Sequence, residues 1–161
     1  MSDLALGILA VVMIGMLGLP FIVNYHKQKR KNNLLKERLR SEAKVEHLPA
    51  SAFQTWRDSY CIVLDPTKAE LHFLNALENK IQRIDLSQVR ICRPIRTYRE
   101  LNEGKESRQI IRKVSLVFDR LDEQKNPFEI TLYDEFLSHF QLDEWEIALN
   151  WSKKINSFIM G

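Results

Sequence analysis

Residues 4–23 carry no charge and are mostly Leu, Ile, Val, Ala, Met and Gly, and this run constrains the chain more than any other feature. A helix rises about 1.5 Å per residue, so such a run matches the roughly 30 Å hydrocarbon core of a bilayer. A cleaved signal peptide is the rival reading. It needs a positive start, a shorter apolar core and a small-x-small cleavage site. Here Met1, Ser2 and Asp3 precede the run, Asn24 and Tyr25 follow it, and no Ala-x-Ala stands directly behind it. The sequence therefore predicts a retained transmembrane anchor over residues 1–25. Gly15 and Gly18 are three apart, so the run holds no GxxxG helix-packing motif.

Behind it lie Lys27, Lys29, Arg30, Lys31, Lys36, Arg38, Arg40 and Lys44, opposed only by Glu37 and Glu42, a net +6 over residues 24–44. Cations beside a membrane segment stay on the cytoplasmic side. The expectation is a single-pass protein of the cell (inner) membrane, N-terminus outside, C-terminal domain cytoplasmic. Two cysteines, Cys61 and Cys92, lack the density of a secreted disulfide scaffold and agree with that compartment. The whole chain is +3, so setting aside Asp3 and the basic stretch leaves residues 45–161 at −2. Basicity thus belongs to one short segment, which argues against a nucleic-acid partner.

Residues 26–50 read as a basic juxtamembrane helix and linker, broken near Pro49, and 51–161 as one domain with its own core. Within it, Tyr60 to Leu64 and Glu70 to Leu74 flank the turn sequence Asp65-Pro66-Thr67-Lys68 and predict a hairpin. Lys80 to Leu86 alternates, and in the next run Val89, Ile91 and Arg93 share a face, with Pro94 limiting its pairing. Residues 99–109 are polar and read as a mobile loop. Val114 to Phe118 and Phe128 to Tyr133 predict a second hairpin-like pair. A closing helix has Asp143 as N-cap and Trp145, Ala148, Leu149, Ser152, Ile155 and Ile159 on one face, with Trp151 and Phe158 off it.

About six strands and a terminal helix make an α+β chain. The step Ile84-Asp85-Leu86-Ser87-Gln88-Val89 resembles the Ile-x-Leu-x-x-Ile/Val step of bacterial pleckstrin-homology-like modules, over about residues 56–160. The layout is similar to small single-span bacterial membrane proteins with a cytoplasmic domain of that kind. The resemblance implies a bent antiparallel sheet or barrel capped by the C-terminal helix; another sheet-plus-helix α+β domain is the alternative.

No catalytic constellation emerges. His26, His47, His72 and His139 are scattered without metal-ligand spacing, and His72 alternates with Leu71 and Phe73, which places it on a solvent face. Cys61 and Cys92 sit in apolar strands as small buried hydrophobes. Phosphate-loop, dinucleotide and nucleophile-elbow motifs are missing. The expectation is a non-enzymatic protein without cofactor or small-molecule substrate. It is an interaction or adaptor module of a membrane protein complex, meeting a protein partner through Arg90, Arg93, Arg96, Trp151 and Phe158. The alternative is an anionic-lipid-binding module that uses Lys27, Lys29, Arg30, Lys31, Lys36, Arg38 and Arg40 on the bilayer surface, with the arginine series Arg83 to Arg99. Pleckstrin-homology-like lipid binders crowd cations on the first hairpin loop, whereas this one offers Lys68 alone.

Overall fold

A computed structural model describes residues 3–45, 47–103, 106–136 and 143–161; the side chains of 3–21, 102–103 and 106–107 lie outside the description. A long helix α1 (Asp3–Ala43) leads into strands β1 (Phe53–Trp56), β2 (Tyr60–Asp65), β3 (Glu70–Asn75) and β4 (Lys80–Asp85). Then come β5 (Val89–Glu103), β6 (Glu106–Arg120), β7 (Phe128–Asp134) and helix α2 (Asp143–Met160). The strands form two antiparallel sheets, β1-β2-β3-β4 and β5-β6-β7.

Two expectations are corrected at once. Among the described residues no helix is long and apolar enough to cross a membrane. The transmembrane anchor over 1–25, and the inner-membrane location built on it, are overturned by that finding. Up to residue 21, the apolar run lies outside the described side chains. The single bent sheet or barrel of about six strands is likewise replaced by two sheets of four and three strands.

The turns of the first sheet repeat one device. Asp65 Oδ1 accepts from the Thr67 N–H (3.0 Å) and hydroxyl (2.6 Å), Asn75 Oδ1 from the Leu77 N–H (3.1 Å), and Asp85 Oδ1 from the Ser87 N–H (3.0 Å) and hydroxyl (2.6 Å). Each short polar side chain two residues ahead of its donor closes an Asx turn, which is why Asp and Asn stand at strand ends. The hydroxyl and amide bonds hold the Asp65 carboxyl below its usual range, although partial burial pushes the other way. Left-handed Ala69 (φ 52°) and Asn79 (φ 54°) then bring the chain back.

The main core lies between the inner faces of the two sheets and α2. Ile62, Leu71, Phe73, Leu116, Phe118, Ile130 and Leu132 are almost fully buried there, with Trp151 and Ile155 from the helix. Trp56, Tyr60 and Phe73 stack with ring centroids 5.4–6.1 Å apart. A second core covers the opposite face of the four-stranded sheet, where Leu35, Leu39 and Val45 meet Phe53, Cys61, Val63 and Leu74. The end of α1 is therefore integral to the fold. Left-handed Lys44 (φ 53°) stops it, with the Val45 N–H donating to Arg40 O (3.0 Å) and the Lys44 N–H to Ser41 O (3.4 Å). This is a Schellman closure, and Val45 packs in the same cluster as Leu39, the contact that accompanies the motif.

Several local readings change with this second core. His72 is 2% exposed, because the face of β3 assigned to solvent is roofed by α1. β1 carries Phe53 and Trp56 on opposite faces and is too short for alternation to reveal. Residues 99–109 are largely strand, with 104–105 outside the description. A register shift between Val89 and Ile91 separates their faces, leaving Val89 buried and Ile91 exposed. The buried stripe of α2 is Glu144, Ile147, Ala148, Trp151, Ser152 and Ile155. It is rotated from the expected one, and the expected N-cap Asp143 begins the helix.

Leu39 tests whether α1 belongs to the folded body. Leu39→Ala is expected to lower stability by about 2–5 kcal/mol, the cost of a buried leucine cavity, read as a shifted urea midpoint. Leu34→Ala, on the exposed side, is expected to leave the midpoint in place; equal shifts would show that α1 does not dock.

Candidate functional site

The turn between β1 and β2 ties both helices to the sheets. Arg57 (φ 50°) and Asp58 (φ 51°) are both left-handed without being glycine, a conformation that needs support from surrounding contacts. Arg57 Nε donates to Glu144 Oε1 on the first turn of α2, and its guanidinium lies 5.5 Å from the centre of the Tyr133 ring. Glu144 is 1% and Arg57 14% exposed at the side chain. Asp58 pairs with Lys31 of α1 at 3.2 Å. The Arg57–Glu144 pair is a structural clamp between the β1–β2 turn and α2, with the Tyr133 ring beside it.

The basic stretch divides in two. Lys27, Lys29 and Arg30 are exposed along α1. The later cations hold the helix to the domain. Arg38 pairs with Glu42 (2.7 Å) and donates to Asn79 Oδ1, while Arg40 pairs with Glu37 (2.7 Å), donates to Leu48 O (3.0 Å) and covers the Phe53 ring at 5.2 Å. Lys31 is engaged by Asp58, and half-buried Lys36 lies near Cys61.

The arginine series is mostly neutralised. Arg83 pairs with Glu70 (2.8 Å), Arg90 with Glu123, Arg93 with Asp119 (2.8 Å) and Arg99 with Glu135 (2.5 Å). Arg96 instead stacks over Trp145 (4.5 Å) and Tyr98 (5.5 Å). Arg90 and Arg93 line a shallow polar basin with Arg120, Lys125, Asp119 and Glu123. Trp151 does not join them. It is 3% exposed and donates its indole N–H to Gln54 Oε1, while Phe158 packs half-buried against the core. As a contact residue Trp151 is corrected, because α2 is rotated to bury its face; Phe158 keeps part of its surface.

What the structure does bring together lies on the three-stranded sheet. One face belongs to the main core. On the other, Ile91 and Ile95 are each 37% exposed beside half-buried Val117 and the Arg93–Asp119 pair. Beyond the core, β5 and β6 continue as a two-stranded arm carrying Tyr98 at 45% exposure. β5 is an edge strand, and α2 caps part of it. The Cys92 N–H donates to Asn156 Oδ1 (2.8 Å), and Cys92 O accepts from the Ser152 hydroxyl (2.9 Å) and Asn156 Nδ2 (2.8 Å).

Burial pushes the Cys61 and Cys92 thiols up to about 12, so neither is a nucleophile near neutral pH. Burial also lowers the His72 pKa against the opposing pull of Glu70, whose Oε2 lies 3.2 Å from Nε2. Among the described residues no three His, Cys, Asp or Glu side chains could hold a metal ion. No known family model matches the chain, and no curated protein or solved structure does either. Nothing in these comparisons therefore identifies a pleckstrin-homology-like single-span family.

Two measurements follow from the buried charges. Glu144→Ala strands Arg57 without its partner, and a loss of about 3–5 kcal/mol in urea unfolding is expected. Glu123→Ala, which removes an exposed partner, should cost less than about 1 kcal/mol; similar losses would deny the clamp its role. His72 sets a pH dependence. Its folded pKa lies below the unfolded value of 6.5, so the unfolded chain binds more protons once pH falls through that value. Stability should drop between about pH 7 and 5.5, and His72→Gln should flatten that slope; an unchanged slope would assign it to other groups.

Proposed function

We propose that this chain is a non-enzymatic interaction module that holds a protein partner against the outer face of its three-stranded sheet. The observation that carries this reading is an asymmetry of cover. The four-stranded sheet is packed on both faces, by the main core and by α1, whereas among the described residues the three-stranded sheet has a hydrophobic core on one. Its bare face presents Ile91 and Ile95 with Arg93 between them and Arg90 at the rim. An apolar centre rimmed by arginines is the composition that protein interfaces favour.

Binding to an anionic lipid surface has less support. Four of the five arginines in the series already have carboxylate partners, and Lys31, Arg38 and Arg40 of the basic stretch are engaged in docking α1. Lys27, Lys29 and Arg30 remain exposed for such a role.

Co-purification with the tagged full-length chain tests the proposal. One partner in fixed stoichiometry is expected, and Ile91→Ser/Ile95→Ser should weaken its binding at least about tenfold while leaving the circular dichroism unchanged. Recovery of the chain alone, or of the same partner at the same yield with the double variant, would overturn the reading.

A further inference from the structure

The exposed edge of β5 has a direction and a charge order that suit a second copy of the same strand. Cys92 turns both of its backbone polar groups away from β6, since they are taken by Ser152 and Asn156 of α2. Backbone groups alternate along a strand, so Pro94, Arg96, Tyr98 and Glu100 turn theirs outward as well. The register shift at Thr97 and Tyr98 leaves this alternation intact, because the extra residue, Arg112, belongs to β6. Pro94 has no N–H to offer, which is where an edge strand tolerates proline. From Arg96 onward the outward donors and acceptors have no α2 side chain across them among the described contacts.

We infer that two copies of this chain pair β5 edge to β5 edge, antiparallel, about a two-fold axis at Tyr98. In this register Tyr98 faces Tyr98 of the second copy, and Arg96 faces Glu100, twice by symmetry. On the opposite face Ile95 meets Leu101, apolar against apolar. Arg96 and Glu100 are exposed, and neither has an ion-pair partner among the described residues; Arg96 makes ring contacts only. Neighbouring registers fail the same test. An axis at Thr97 pairs Ile95 with Arg99 and joins no opposite charges, and an axis at Arg99 sets two arginines against each other, which destabilises a strand pair. Outward-facing residues meet outward-facing residues at Tyr98, so the backbone hydrogen bonds of Arg96, Tyr98 and Glu100 close reciprocally. A C2 pairing of this kind closes on itself: it uses up the β5 edge of each copy. It goes beyond the proposed partner face, since it uses the strand edge and not Ile91 or the Arg90 rim; Ile95 alone is common to both.

Sedimentation of the full-length chain tests this across a range of concentration on the order of a hundredfold. The expected mass is twice the 19.0 kDa of one chain. Arg96→Glu alone and Glu100→Arg alone each set like charges across the axis and should give monomers, while the two together should restore the dimer. In a chain altered only by Tyr98→Cys, the facing Cα atoms of a hydrogen-bonded pair lie about 5.5 Å apart, within disulfide reach. Mild oxidation should therefore cross-link it between copies, whereas Ile91→Cys should not cross-link. A wild-type monomer throughout, a dimer indifferent to the single exchanges or not restored by the double one, or equal cross-linking at both positions would each overturn the inference. Partner recovery that is weakened with Ile91→Ser, which lies outside the β5–β5 contact, and kept with Arg96→Glu would separate the two surfaces.

Discussion

The buried Arg57–Glu144 pair is the contact on which the placement of the other parts depends. Removing both charges from water costs several kcal/mol, so such a pair adds little net stability and instead selects one arrangement. Here it locates the first turn of α2 against the β1–β2 turn, and the rest of that helix follows as a rigid rod. Two turns on, Trp151 reaches Gln54; further along, Ser152 and Asn156 reach Cys92 on the other sheet. Asp58, next to Arg57, holds Lys31 on α1. One strained turn thus sets both helices, and its two left-handed residues are tolerated because each side chain is engaged.

From this placement follows the difference between the sheets. The end of α1 lies over the four-stranded sheet and converts its outer face into a second core, so Cys61, Val63 and His72 are as buried as residues of the main core. Nothing in the described chain does the same for the three-stranded sheet. Surface available for recognition is therefore a consequence of which face the helices reach.

Much of the first sheet was legible in the sequence, because its physics is local. Alternation and the Asp65-Pro66-Thr67-Lys68 turn locate β2 and β3, and Lys80 to Leu86 covers β4 and the turn after it. The closing helix was legible from its 3.6-residue period, but not its rotation. Counting Trp145 and Leu149 into the stripe hid the better one, Glu144, Ile147, Ala148, Trp151 and Ile155, in which a carboxylate on an apolar face signals a buried partner. His72 was misread because alternation tells one face from the other, not whether a second element covers the polar-looking face. The arm of β5 and β6 was missed for the opposite reason. Clear of the core, both of its faces are wet, so no apolar alternation is demanded and the stretch looks like loop.

The same reasoning explains why β5 changes character at Pro94. Before it, the strand edge is shielded by α2, whose Ser152 and Asn156 meet the backbone at Cys92 as another strand would. After it, α2 has reached its own beginning: Trp145, on its first turn, meets Arg96 and is the last helix side chain beside the strand among the described contacts. The clamp at Glu144 holds the first described turn of that helix against the β1–β2 turn. The complementary order of Arg96, Tyr98 and Glu100 begins at Trp145, the last described helix side chain beside the strand.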